Sequence, residues 1–166
     1  LQKEAWERKQ NYREIDSYVK KKRSLSLATP SISPTQGWFV SGFGRRIHPI
    51  TRKREYHKGM DIANSKGTPI RVTADGTVMF SGWRGTFGRV VVVNHGHGYS
   101  TIYAHNFRNL VKAGEKVKRG QIIALMGSSG LSTGSHLHYE VRFNRRPQNP
   151  IKYITAKGSR KYLTRF

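Results

Sequence analysis

The sequence predicts a mainly β protein, in which an antiparallel sandwich or barrel follows one N-terminal α-helix. Six short segments are rich in β-branched and aromatic residues, and turn signals such as "ADG" and "HGHG" separate them. No amphipathic helical stretch lies between these segments, so the strands are expected to pair antiparallel without crossover helices. The predicted strands are "TPIRV", "GTVMFSGW", "RVVVVNH", "GYSTIYAH", "QIIALMG" and "HLHYEVRF".

The N-terminal segment, residues 1–23, is predicted to be helical because apolar residues recur there every three or four positions, with a break at Arg8. The preferred interpretation is a helix that packs on the domain or forms the end of an upstream coiled coil. The alternative is a lid that lies across a groove. The apolar positions are Leu1, Ala5, Tyr12, Ile15 and Val19.

The remaining boundaries follow from composition. Residues 24–37 are rich in Ser, Thr and Pro and are predicted to form a linker. The compact domain is expected over residues 38–154, and residues 155–166 form a basic tail. A chain of 166 residues that begins with Leu1 suits one domain of a processed or partial protein, whose targeting segment, if any, lies upstream.

The chain carries a formal net charge of +22, from 31 Lys and Arg residues against 9 Asp and Glu residues. Such a charge attracts an anionic partner, which can be nucleic acid, acidic lipid or an acidic polymer of the cell envelope. The absence of cysteine excludes disulfides and thiolate metal ligands. The sequence also has no run of about 18 apolar residues that could span a membrane.

The stretch "HLHYEVRF" contains two histidines, His136 and His138, in a segment that alternates as a strand does. Successive side chains on a strand point to opposite faces, so both histidines share a face with Glu140 and Arg142. This face is predicted to be open. The intervening apolar residues share the other face and are expected to point into the core: Leu137, Tyr139, Val141 and Phe143.

A second pair of polar residues, His57 and Asp61, lies four positions apart in "YHKGMDIA". This spacing places both on one face of a strand or of a helix, and Gly59 favours the strand. Two imidazoles and one carboxylate are a common zinc ligand set, and a catalytic zinc has three protein ligands and one open position. Each pair alone is a weak signal, but both pairs in one small β domain indicate a metal site.

Three stretches resemble a known family: "GFGRRIHPITRKREYHKGMDIANSKGTPIRVTADGTV", "VVVNHGHGYSTIYAH" and "AGEKVKRGQIIALMGSSGLSTGSHLHYEVR". Together they are similar to the lysostaphin-type (LytM-type) zinc endopeptidases, which cut the cross-links of peptidoglycan. The resemblance covers residues 37–154 and includes the motifs H-X-X-X-D, Y-A-H and H-X-H. It implies a small open β-structure whose sheet forms the floor of a groove.

The resemblance implies roles for five residues, all of which are present. It assigns zinc binding to His57, Asp61 and His138, and non-ligand catalytic roles to His105 and His136. In the implied reaction, zinc polarises the scissile carbonyl and acidifies a water molecule while the two histidines transfer its proton. Which of the two is the general base stays open. Relatives that only activate other hydrolases typically lack some of the ligands.

The expected function is therefore zinc-dependent hydrolysis of peptidoglycan cross-links, with D,D-endopeptidase cleavage favoured. The expected location is the cell envelope, periplasmic or secreted. The expected partners are stem peptides and anionic envelope polymers, with no nucleic acid. Two alternatives stay open: a non-catalytic wall-binding or amidase-activating module of the same fold, and more remotely a basic nucleic-acid-binding protein.

Four further residues have expected roles outside this set. Glu140 is expected to have a surface or structural role in preference to orienting a ligand imidazole. His48 lies in a loop of the resemblance and suits groove lining and a structural role equally. His95 and His97 lie in a glycine-rich turn and are expected to be exposed.

Overall fold

The structure, a computed structural model, describes residues 2–154 and the backbone of residues 163 and 164. The rest of the predicted basic tail lies outside the described residues. Within them, helix α1 (Gln2–Ala28) precedes thirteen strands, and two short 3-10 turns span Gly85–Phe87 and Pro150–Lys152. The strands are β1 (Gly37–Ser41), β2 (Gly44–Ile47), β3 (Arg54–His57), β4 (Met60–Ala63), β5 (Pro69–Arg71), β6 (Gly76–Trp83), β7 (Arg89–Gly96), β8 (Tyr99–Asn109), β9 (Lys116–Val117), β10 (Ile122–Met126), β11 (His136–Phe143), β12 (Arg146–Gln148) and β13 (Leu163–Thr164).

Eleven of these strands form one sheet, with the order β13-β1-β4-β11-β8-β7-β6-β9. Strand β12 pairs with β11, and β10 pairs with both β8 and β5. Strands β2 and β3 form a separate two-stranded hairpin. The predicted fold class, a mainly antiparallel β protein with an N-terminal helix, is confirmed, and the open sheet decides against a barrel.

The hydrophobic core lies against one face of the large sheet. On β11, Leu137, Tyr139 and Val141 are fully buried and pack with apolar side chains of β4, β7, β8 and β10, as the alternation predicted. The same prediction is wrong for Phe143, which is 39% exposed. Phe143 is the last residue of β11, and its ring packs against Tyr99 at the margin of the sheet instead of entering the core.

Helix α1 ends at Ala28, five residues beyond the predicted boundary. Leu25, Leu27 and Ala28 favour a helix more than the polar composition of the segment suggested. The helix stops here because Pro30 disfavours the helical conformation at the residue before it. Ala28 is the buried residue of the helix. No helix among the described residues is long and apolar enough to cross a membrane.

The base of α1 is fixed to the domain, whereas its outer turns are exposed. The Arg119 guanidinium donates to the carbonyls of Ser26 and Leu27 at 2.6 and 3.2 Å, where a cation also opposes the negative end of the helix dipole. Farther out, Trp6 and Tyr12 are 63% and 73% exposed. The helix therefore neither packs along the domain nor covers a groove, and the coiled-coil interpretation stays a prediction.

The predicted linker differs from a free spacer. Residues 24–28 belong to α1, and the following residues lie along β5. The Arg71 amide donates to the Pro34 carbonyl at 2.7 Å, the Thr35 hydroxyl donates to the Pro69 carbonyl at 2.8 Å, and Ser33 is buried. Because proline and hydroxyl residues satisfy this neighbouring backbone, the segment is part of the domain surface and not a flexible connection.

Candidate metal centre

The face of the sheet opposite the core brings together the polar residues of β4 and β11. It is less open than predicted, because Asp61, His138 and Glu140 are 7%, 7% and 1% exposed. In the register of these strands, His138 lies directly opposite Asp61. Gly59 precedes β4, and a Cβ there would overlap the Tyr139 carbonyl oxygen and approach His138 Cε1 to 3.0 Å. A glycine therefore permits the chain to pass close to β11 immediately before Asp61.

His57, Asp61 and His138 place one donor atom each around a common point. His138 Nδ1 lies 2.9 Å from Asp61 Oδ1 and 3.0 Å from His57 Nε2. His57 Nε2 lies 3.2 Å from Asp61 Oδ1. Donors about 2.0–2.1 Å from a tetrahedral zinc ion lie about 3.3 Å apart, so this triangle fits the metal closely.

The opposite atom of each of these groups is held by a separate partner. His57 Nδ1–H donates to the Gly42 carbonyl at 2.7 Å, and His138 Nε2–H donates to Glu140 Oε1 at 3.1 Å. Asp61 Oδ2 accepts from Arg46 Nη1 at 2.7 Å. Such outward contacts fix the ring orientation and direct the remaining donor atom to the metal. The nitrogen and carboxylate donors, together with this ordering, fit zinc.

In the absence of a metal, neighbouring groups of opposite charge determine the protonation states of His138 and Asp61. Burial favours neutral His138, but hydrogen bonds to Asp61 and Glu140 and their negative charges outweigh burial and raise its pKa to about 9. Burial also opposes ionisation of Asp61, but hydrogen bonds to His138 and His57 outweigh it and hold the carboxyl pKa well below its usual range. Asp61 is therefore a carboxylate, and His138 must release a proton when it binds a metal.

His105 reaches the groove through an irregularity of β8. Its neighbour Ala104 lies opposite His138 on the groove face, so regular alternation would turn His105 towards the core. Instead, His105 has a φ of +63°, and the pairing of β7 with β8 shifts register at this point. The resulting bulge places the His105 ring 4.7 Å from that of His136, centroid to centroid.

His105 and His136 present equivalent nitrogens to this site. His105 Nδ1–H donates to the Ser129 carbonyl at 2.8 Å, and His136 Nδ1–H donates to the Gly134 carbonyl at 2.9 Å. In each ring, Nε2 is thus the atom left to accept a proton. Burial lowers the pKa of His105 to about 4, against the opposing effect of its bond to Ser129. His136 Nε2 lies 4.0 Å from Asp61 Oδ1.

Two further groups contact the predicted ligands: Arg46, which sequence analysis missed, and Glu140, for which this contact was the less favoured alternative. Arg46 gave no signal, because its contact with Asp61 depends on how the β2–β3 hairpin folds back onto β4. For Glu140 the surface interpretation is wrong, because the residue is 1% exposed, and its bond to His138 favours the alternative in which it orients a ligand imidazole. Its other oxygen accepts from Arg142 Nε at 2.8 Å. The shared strand face of these residues was the available signal.

The candidate metal centre lies in a groove of about 620 Å³, which is large enough for a peptide segment. Its walls are the β2–β3 hairpin, the Gly85–Phe87 turn and the loop of residues 131–135. His48 has both of its expected roles. It lines the groove, and its Nδ1 accepts from the amides of Ile50 and Thr51 at 3.1 Å each.

The prediction that His95 and His97 are both exposed is wrong for His95. His95 is 7% exposed, its Nδ1–H donates to the Asp75 carbonyl at 2.7 Å, and its Nε2 bonds to Thr101 Oγ1 at 2.7 Å. It belongs to β7 rather than to the turn, so its side chain follows the alternation of that strand. His97 is exposed and bonds to Ser24 of α1.

The sequence model of Peptidase family M23 matches residues 55–150, which include all five predicted site residues. DD-carboxypeptidase/endopeptidase Mpg of Neisseria meningitidis is 44% identical over 111 residues, covering 67% of this chain and 26% of that protein. Peptidoglycan DD-endopeptidase ShyA of Vibrio cholerae is 40% identical over 137 residues, covering 81% and 32%. The chain thus spans about a quarter to a third of these relatives.

A solved structure extends the similarity to the fold. A zinc-containing peptidase from Vibrio cholerae superposes on this chain with a TM-score of 0.70 and a sequence identity of 37%. The superposition covers 77% of this chain and 41% of that chain. Sequence and backbone similarity therefore coincide over the region that holds the groove.

Proposed function

This chain belongs to peptidase family M23, and from that membership we propose that it is a zinc-dependent endopeptidase that hydrolyses peptide cross-links of bacterial peptidoglycan. The observation that carries the proposal is the combination of an inward-facing donor triangle with two further histidines beside it. A binding module needs neither an ordered triangle nor two free imidazole nitrogens next to it. The proposed endopeptidase domain spans residues 38–154.

In this proposal the metal ligands are His57, Asp61 and His138. When bound there, zinc supplies Lewis-acid chemistry, which polarises a carbonyl and lowers the pKa of water. The protein orients each ligand through its outward contact, so the three groups need little rearrangement to receive the ion.

The proposed proton carriers are His105 and His136, whose Nε2 atoms face the groove. We assign the first proton transfer, from the attacking water, to His105. Its low pKa keeps the imidazole neutral and able to accept at physiological pH. His136 lies beside it, with Nδ1–H fixed by the Gly134 carbonyl. His136 Nε2 takes that proton from protonated His105 and passes it to the leaving amine, so that both histidines end neutral.

The groove and the charge support a peptidoglycan substrate. The groove accepts an extended peptide, and a protein with a net charge of +22 is retained by polymers that carry carboxylates or phosphates. The names of the relatives favour D,D-endopeptidase cleavage. We accordingly place the chain in the cell envelope, periplasmic or secreted, with stem peptides and anionic envelope polymers as partners and no nucleic acid.

The proposal is tested by incubating zinc-loaded protein with purified, cross-linked peptidoglycan, with and without a chelator, and separating the released muropeptides by mass. We expect cross-linked dimers to disappear, the chelator to prevent this, and the product masses to identify the bond. No cleavage by the zinc-loaded chain contradicts the enzymatic proposal. Retention on peptidoglycan without cleavage would instead indicate a wall-binding or amidase-activating module.

Two variants separate the proposed roles. His138→Ala should lose both zinc and cleavage, because it removes a ligand. His136→Ala should keep one zinc per chain, measured by atomic absorption, while losing most turnover. His97→Ala is the matched control, since His97 is an exposed histidine of the same domain. Loss of zinc from His136→Ala would overturn the division between ligands and proton carriers.

A further inference from the structure

Arg46 connects four separate segments at the metal centre. It belongs to β2, and its Nη1 donates to Asp61 Oδ2 of β4 at 2.7 Å and to Ser41 Oγ of β1 at 2.6 Å. Its Nε donates to Glu55 Oε1 of β3 at 2.7 Å. The Arg46 side chain is 22% exposed, so water competes only partly for these bonds. Because three acceptors hold the Arg46 side chain, it keeps its position if any one of these hydrogen bonds is lost.

The two oxygens of Asp61 consequently have different surroundings. Oδ1 faces His138 Nδ1 at 2.9 Å and His57 Nε2 at 3.2 Å, within the donor triangle. Oδ2 points away from the triangle to Arg46. A carboxylate can bind a metal through one oxygen or through both, and the choice changes the coordination number by one. In this chain the second oxygen already has a charged partner.

We propose that Arg46 is a positioning residue that reserves Asp61 Oδ2, so that Asp61 gives a metal ion one oxygen only. Ser41 and Glu55 hold the guanidinium in place when the metal binds, so that the carboxylate does not rotate towards the ion. The coordination position that a second oxygen would fill stays open to substrate or water. This inference rests on the metal-binding part of the proposed function.

The geometry also explains why an arginine serves here. Its planar group offers Nε and Nη1 to separate acceptors in fixed directions, which a lysine ammonium on a flexible stem does not do. The neighbouring Arg45 shows the contrast, because it is exposed and lies on the other face of the same strand. Arg45 therefore provides a matched control with the same charge.

The inference is tested by the visible absorption spectrum of the full chain loaded with a saturating concentration of Co²⁺ in place of zinc. Four-coordinate Co²⁺ absorbs much more strongly in its d–d bands than five-coordinate Co²⁺, so the spectrum reports coordination number. We expect strong bands for the wild type and for Arg45→Ala. In Arg46→Ala the freed oxygen should bind the ion, and the bands should weaken several-fold.

A second variant keeps the test decisive if Arg46→Ala fails to fold, as judged by circular dichroism. Glu55→Gln removes the charge that holds Arg46 Nε without touching Asp61 and should weaken the same bands to a smaller extent. A spectrum of Arg46→Ala equal to that of Arg45→Ala overturns the inference. If Arg46→Ala is unfolded, equality of Glu55→Gln with Arg45→Ala overturns it.

These spectra need no substrate, so they are independent of hydrolysis. A wild-type chain with a four-coordinate cobalt spectrum that cleaves no peptidoglycan refutes the proposed enzyme and leaves the role of Arg46 intact. If the chain cleaves peptidoglycan but the spectrum is unchanged in Arg46→Ala, the proposed enzyme is supported and the role of Arg46 is refuted.

Discussion

The buried His95 makes the free energy of unfolding of this domain depend on pH. Burial lowers its pKa from 6.5 to about 4, against the bond that its Nδ1–H makes to the Asp75 carbonyl. The unfolded chain binds this proton more readily than the folded chain, so stability falls as pH drops below 6.5. The loss is about 2 kcal/mol at pH 5 and about 3 kcal/mol at pH 4, from 1.36 kcal/mol per pKa unit.

The perturbation is His95→Gln, which removes the titrating group, and the matched control is His97→Gln in the adjoining turn. The measurement is urea unfolding of metal-free protein at pH 7.5, 5 and 4. At pH 7.5 the His95→Gln variant should be less stable than the wild type, because it loses buried hydrogen bonds. This difference should shrink by about 3 kcal/mol between pH 7.5 and pH 4. A difference that is independent of pH refutes the reasoning.

Two other substitutions test the packing and charge of the metal centre. In Glu140→Gln, the His138 pKa of the metal-free chain should fall below about 9, because a negative charge is lost. The control Glu115→Gln, a change at an exposed turn, should leave this pKa unchanged. NMR titration of the His138 imidazole measures the pKa in both variants. In Gly59→Ala, overlap with a backbone carbonyl should destabilise the fold by about 1–3 kcal/mol. In Gly134→Ala, where no atom lies within 4 Å, the free energy of unfolding measured in urea should change by less than about 0.5 kcal/mol. Equal losses of stability in Gly59→Ala and Gly134→Ala would contradict the steric argument.

Local patterns were sufficient to predict six of the thirteen described strands and the core-facing side of β11 except at Phe143. Alternation places His136 and His138 on one face whatever the rest of the chain does. The proximity of His57 and Asp61 to His138 came from family resemblance, since strand pairing between residues far apart in sequence has no local signature. The structure brings these three groups together, within 3.2 Å.

Features that depend on long-range contacts or on broken alternation were not predictable from local sequence. Arg46 meets Asp61 because a separate hairpin folds back. His105 faces the groove because its φ is positive, which no neighbouring residue type indicates. The end of α1 was misplaced because Ser residues resemble a linker in composition, although Leu25 and Leu27 continue the helix.

The anchored helix also sets a length. At 1.5 Å per residue, the 27 residues of α1 extend about 40 Å from the turn that Arg119 holds. Because the helix is anchored at its C-terminal end, a partner bound at its N-terminal end is held about 40 Å from the domain that carries the groove. The first described turn of α1 is therefore held about 40 Å from the turn that Arg119 contacts.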